Sequence, residues 1–223
     1  YACMVAKYWL ETIARLPVEV DVASEFRYRE PPVSPGTLAL FVSQSGETAD
    51  TLAALRYMVG KADVIAGLVN VSESSIARES DVVLPIYAGP EISVASTKGF
   101  TAQLLVLLLL ALKAAHDRGR LDDAALAAKL SELRVLPGTL AQALDREEEI
   151  KVLARKIAQA QDVLFLGRGV MYPLALEGAL KLKELSYIHA EGYASGELKH
   201  GPIALIDKTL PVIVMAPRDA LYE

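Results

Sequence analysis

Two hydrophobic periods alternate along this chain. Unbroken apolar runs of strand length occupy residues 38–42, 64–69 and 82–86, and segments with helical spacing, residues 51–59 and 74–79, separate them. A strand buried on both faces reads as a continuous apolar run, and strand alternating with helix is the pattern of a parallel sheet covered by helices on both faces. Upstream, residues 2–15 read as a helix that begins at the first residue without a cap, which places the start of the chain inside a domain. After Pro17, Val18, Val20 and Val22 alternate with Glu19 and Asp21 as a strand, and residues 23–27 lead into a loop at Pro31-Pro32. Ser96-Thr97 caps a long helix through Ala115, and residues 121–133 and 139–161 form two more helices broken at Pro137-Gly138.

The second half restates the first. Residues 163–166 start a new strand, Gly167-Arg168-Gly169 turns, Pro173 opens a helix to about Tyr187, and residues 192–201 read as a glycine-punctuated polar binding loop. Glu197, in Ser195-Gly196-Glu197-Leu198-Lys199, lies 172 residues after Glu25 in Ala23-Ser24-Glu25-Phe26-Arg27, and Thr209-Leu210 lies 172 after Thr37-Leu38. Self-similarity at a constant offset predicts two copies of one α/β unit. The expected domains are residues 1–140, with the first strand missing, and residues 150–223, with the C-terminal part missing. Glu223 then corresponds to Thr51, so the chain is expected to be truncated at both ends.

Composition changes this picture only at its margins. With 52% apolar and 23% charged residues, the chain has the balance of a soluble globular protein. A net charge of −5 with scattered Lys and Arg argues against nucleic acid but leaves room for a small anion. One cysteine, Cys3, excludes an internal disulfide framework, fits a reducing cytoplasm and reads as helix core. The most apolar stretch, residues 104–112, is nine residues long, too short to span a bilayer, so no membrane partner is expected.

The candidate chemistry starts at Ser43-Gln44-Ser45-Gly46-Glu47-Thr48, directly between a strand and a helix. Unpaired amides at a helix start and the positive end of its dipole attract an anion, most simply phosphate. The hydroxyls of Ser43, Ser45 and Thr48 and the Gln44 amide add neutral donors, and the glycine-lysine pattern of a nucleotide P-loop is missing, which points to a small phosphorylated, hydroxyl-bearing ligand. The same residues also read as a plain N-cap, with Ser45 capping and Glu47 in the first turn. Val94-Ala95-Ser96-Thr97-Lys98 marks a second hydroxylated helix start at the carboxyl edge of the sheet, where ligands of such sheets collect; Ser96 alone reads as a plain cap, and only its pairing with Ser43 to Thr48 raises the functional reading.

Glu177, Lys181 and Glu184 share one helix stripe, either a partly buried site or a solvated face with i,i+4 ion pairs. His189-Ala190-Glu191 and Lys199-His200-Gly201-Pro202 follow; either histidine reads as structural or catalytic. No Cys or Asp set completes metal-ligand spacing around them, so no metal site is expected.

Ser43 to Thr48, Val94 to Lys98 and the run from Leu164-Phe165-Leu166-Gly167-Arg168-Gly169 through Glu177 to Pro202 together resemble the isomerase domains of the glutamine-fructose-6-phosphate aminotransferase (glucosamine-6-phosphate synthase) family. The resemblance covers essentially the whole chain, and its most specific part is the run after Leu164. It implies two tandem phosphosugar-binding (SIS) domains in a homodimer. It implies that Ser43, Gln44, Ser45 and Thr48 hold phosphate, that Val94 and Ser96 line the sugar, and that Glu184 moves a proton between C1 and C2. Lys181 would lie nearby, and His200 would come from the neighbouring subunit for ring opening. A Gly-Thr-Ser turn, a C-terminal Schiff-base lysine and a glutaminase domain with a terminal cysteine belong to the family pattern, and none is in this sequence.

The expected function is therefore conversion of fructose 6-phosphate and ammonia to glucosamine 6-phosphate, without a metal or organic cofactor. A 1,2-proton shift needs one carboxylate that accepts and returns a proton, tuned by burial and by a neighbour such as Lys181. A phosphosugar deglycase or isomerase, and a non-catalytic phosphosugar sensor with no use for Glu184 and His200, are the rival expectations.

Overall fold

The computed structural model describes residues 1–222. The chain divides into two compact units, one of residues 17–110 with Ala2, the other of Tyr1, residues 3–16 and the chain from Ala111 onward.

In the first unit, β1 (Leu38–Ser43), β2 (Val64–Val69) and β3 (Val82–Pro85) form a parallel sheet in the order β1-β2-β3. Leu38 to Ser43 pair in register with Val64 to Val69, and Ala66 to Val69 with Val82 to Pro85. The central strand is buried from its second residue onward, which is why its sequence is apolar without alternation. Helices α2 (Ala23–Arg29), α3 (Ala49–Met58) and α4 (Ser75–Glu79) connect the strands. Leu55, Met58, Ile65, Val69, Ile76 and Ala77 form the core, with Phe26, Phe41, Leu52 and Val83 against it.

The second unit contains α1 (Ala2–Trp9), extended by a π-helical turn to Ala14, and the helices α6 (Asp123–Arg134), α7 (Leu136–Leu144) and α8 (Glu147–Ile157). Helix α5 (Lys98–Asp117) passes from one unit into the other. The second parallel sheet has β4 (Asp162–Gly167) at its centre, between β5 (His189–Ala194) and β6 (Val212–Met215). Helix α9 (Met171–Ser186) packs on one face, Ala175, Ala179 and Leu182 meeting Val163, Phe165, Ala190, Ile213 and Met215. Successive strand residues face opposite ways, so Asp162, Leu164, His189 and Glu191 belong to the other face. There Leu205 and Leu210, from the crossover between β5 and β6, line a cavity with them.

Four expectations are corrected. Residues 18–22 form no strand: no ladder pairs with them among the described residues, Val22 is 64% exposed, and it serves as the extended N-cap of α2. The polar loop at 192–201 is the end of β5 followed by a 3-10 turn, Ser195–His200. Pro137 does not break a helix but sits in the first turn of α7, where its missing N–H is an orphan anyway; the breaks fall at Val135 and at Asp145-Arg146. Finally, residues 104–112 belong to a 20-residue helix, α5, long and apolar enough by length and composition to cross a membrane. Its Leu107, Ala111, Leu112 and Ala115 are buried inside the protein, while Leu109 is exposed. The expected Glu223 counterpart of Thr51 lies outside the described residues.

Candidate functional site

The turn from Ser43 to Thr48 is fixed by its own hydroxyls. Ser43, buried at the end of β1, accepts a hydrogen bond from the Gly46 amide at 3.0 Å and shares another with the Thr48 hydroxyl at 2.8 Å. Ser45 is exposed, and its hydroxyl accepts from the Glu47 amide at 3.2 Å. Gly46 adopts φ +68, and a Cβ there would stand 1.9 Å from the Ser74 hydroxyl, so glycine is required both by conformation and by space. The plain-cap reading fails in its details: the N-cap of α3 is Thr48, and no side chain caps the helix. The first-turn amides of α3 are thus left for an external acceptor beside an exposed Ser45 hydroxyl.

Glu47 would be an awkward neighbour for an anion. Its carboxylate turns away and accepts from the Ser75 amide at 2.7 Å, at the start of α4, and that bond holds its pKa below the usual glutamate range.

In the same unit, Glu91 accepts from the Ser96 hydroxyl at 3.0 Å and from the Thr97 amide at 3.3 Å. Ser96 is therefore not the cap of α5; Thr97 directly precedes the helix, and its carbonyl accepts the Thr101 amide. A Cβ at Gly99 would lie 2.7 Å from the Ser96 hydroxyl and 3.5 Å from Gln44 Cγ, so the two hydroxylated turns converge around this glycine. Val94 is 91% exposed. The convergence was predicted from sheet-edge topology; Glu91 was not, because no local motif marks a carboxylate whose partners are fixed by the fold.

The other unit carries Glu177, Lys181 and Glu184 on α9, on the side away from the sheet. Lys181 Nζ lies 2.6 Å from Glu184 and 3.5 Å from Glu177, with the three side chains 22%, 32% and 13% exposed. Burial works against the ammonium, but the Glu184 hydrogen bond and the Glu177 charge outweigh it, so the Lys181 pKa is raised and the lysine stays a cation. Such a partly buried triad holds the Glu184 carboxylate in one place, beside a cation.

His200 ends the 3-10 turn after β5, is exposed, and has no side-chain hydrogen bond among the described residues. It lies on the crossover that passes the sheet face opposite α9. Within this unit Glu184 lies on the side of α9 away from the sheet, whereas His200 lies on the turn after the carboxyl end of β5. His189, by contrast, contacts Asp162 at 3.0 Å and Glu191 at 3.6 Å, and Glu191 also accepts from the Tyr193 hydroxyl. Among the described residues no group of three or more His, Cys, Asp or Glu is placed to hold a metal ion. Cys3 is a half-buried residue of α1, and desolvation of its thiol pushes the pKa up.

Comparison with known proteins gives this geometry a context. The SIS domain family matches residues 1–113 and 156–223. Glutamine–fructose-6-phosphate aminotransferases [isomerizing] from Bradyrhizobium diazoefficiens and Brucella melitensis are 62% and 60% identical over all 223 residues, which span 37% of each relative's length. The structure of the C-terminal domain of glucosamine-fructose-6-phosphate aminotransferase from Francisella tularensis matches with TM-score 0.97 and 46% identity, over 99% of this chain and 63% of that one.

Proposed function

Because the chain belongs to the SIS domain family, we propose that it is the isomerase part of an enzyme that converts fructose 6-phosphate and ammonia to glucosamine 6-phosphate. The carrying observation is the uncapped, hydroxyl-lined helix start of the first unit; the second unit by itself carries a partly buried carboxylate held by a lysine, and the name and substrate come from relatives the chain matches along its whole length. Ser43, Gln44, Ser45 and Thr48 with the first amides of α3 hold the phosphate, and Val94 and Ser96 line the sugar.

In this reading ammonia condenses with the C2 carbonyl of the open-chain ketose and releases water. Glu184 then takes a proton from C1 and returns it to C2, while the O1 proton is passed, in net terms, to the imine nitrogen, so that C1 becomes the aldehyde and C2 carries the amine. The carboxylate ends as it began, which is what general acid–base work at one site requires. Lys181 keeps Glu184 in place, and Glu177 is a structural neighbour of that lysine. Opening of the sugar ring falls to His200 of the opposite subunit in a homodimer, a reading supported by its exposed place on the turn after β5, where it has no side-chain hydrogen bond among the described residues. The two phosphosugar-binding domains correspond to residues 1–140 and 150–223, the setting is a reducing cytoplasm, and neither nucleic acid nor a membrane takes part. No cofactor enters these steps.

The phosphate assignment is tested on the intact protein by calorimetry. Combined Ser45→Ala and Thr48→Val removes two hydroxyls facing a charged group, each worth about 1.5 to 3 kcal/mol. Fructose 6-phosphate affinity falls accordingly; unchanged affinity places the phosphate elsewhere.

A further inference from the structure

Asn70 belongs to no motif, yet it touches all three strand ends of the first sheet. It follows the last residue of β2, and its backbone amide donates to the Gln44 carbonyl in the turn after β1 at 3.0 Å. Its side chain does two more things at once. Oδ1 accepts from the Ala88 amide at 2.8 Å and Nδ2 donates to the Gly89 carbonyl at 2.7 Å, both in the loop after β3.

That loop needs holding. Tyr87 and Gly89 flank Ala88 with φ +50 and +69, and a non-glycine residue in the left-handed region persists only where its surroundings over-determine it. Tyr87 is 85% exposed, so its ring supplies no packing; the Asn70 bonds hold the backbone instead. Further along, Glu91 fixes Ser96 and Thr97, and Lys98 Nζ donates to the Pro90 carbonyl at 2.6 Å.

We infer that Asn70 is a positioning residue that ties the phosphate turn to the sugar-lining segment and so sets the distance between the two subsites. The inference rests on the phosphosugar reading given above. An amide is required there because only an amide offers one acceptor and one donor side by side to a neighbouring N–H and C=O. Asn70→Asp keeps the acceptor for Ala88 but faces the Gly89 carbonyl with a second oxygen, and Asn70→Ala removes both bonds.

The test compares three quantities in both variants of the intact protein: affinity for fructose 6-phosphate, affinity for inorganic phosphate, and amide exchange across residues 86–97. The brace predicts roughly tenfold weaker sugar-phosphate binding, phosphate binding changed by less than about twofold, and faster exchange in the segment. A residue that merely supports the fold would weaken both ligands in the same proportion, and that outcome overturns the inference, as does unaltered exchange. If the unmodified protein binds phosphate but no sugar phosphate, the proposed function fails. The exchange measurement then still judges the brace, and unchanged rates in both variants refute it.

Discussion

Glu47 and Thr48 are adjacent, and the turn uses them in opposite directions. Thr48 closes the turn onto Ser43, whereas Glu47 reaches 28 residues along the chain to the Ser75 amide and joins the turn to α4. The hydroxyls were legible in the sequence as a set, because strand, small polar residues and helix occur in order. Which of them caps was not: Ser45 and Thr48 have the same chemistry, and only the backbone path shows that Thr48 is the N-cap. Glu47 and Asn70 were illegible as partners because their contacts are made across strands, and Glu91 because no motif marks the irregular segment in which it bonds Ser96 and Thr97. The Glu47 bond has a pH signature. Its folded pKa is depressed, so its contribution is present above the ordinary glutamate value near 4.5 and is lost as pH falls through the lower folded value. The difference in melting temperature between the unmodified protein and Glu47→Gln shrinks as pH is lowered from 6 to about 3. A difference that stays constant over that range contradicts the anchor.

At the scale of elements, β1, β2, β3 and β4 announce themselves as apolar runs because large side chains fill both faces of the strand. Strand β5 does not, and Gly192 explains why. A Cβ there would stand 2.8 Å from the Leu176 backbone, so α9 approaches the strand backbone to backbone, and the inward positions Ala190, Gly192 and Ala194 are small. A strand selected for closeness has little apolar content and reads as a polar loop. Two glycines separate this effect from helix propensity. Gly192→Ala forces the helix and strand apart and destabilises the protein by about 1–3 kcal/mol. Gly138→Ala in α7, where the added methyl meets nothing within 4 Å, stabilises by about 0.5–1 kcal/mol. Denaturant midpoints of the intact protein read both; equal effects of one sign contradict the packing account.

For the whole molecule, the repeat offset of 172 was the most informative pattern in the sequence. It pairs Thr37-Leu38 at the start of β1 with Thr209-Leu210 just before β6, and each of these strands stands at one side of its sheet. The false strand at residues 18–22 came from local alternation alone, which carries no information about a partner; the repeat carries long-range information and placed β6. Glu184 and His200 are 16 residues apart in sequence, the first on α9 away from the sheet and the second on the exposed turn after β5. The shared-site proposal is the most exposed part of the account. Its test uses the intact protein as two inactive variants, Glu184→Gln and His200→Ala, dissociated together and allowed to reassociate, with exchange of the C1 hydrogen of cyclic fructose 6-phosphate with solvent as the readout. Each variant alone shows no exchange. A mixed dimer holds one doubly damaged site and one intact site built from Glu184 of one chain and His200 of the other, so exchange returns in proportion to the mixed dimers formed. Verified mixed dimers without exchange, or a Glu184→Gln homodimer that exchanges at the unmodified rate, contradict the account.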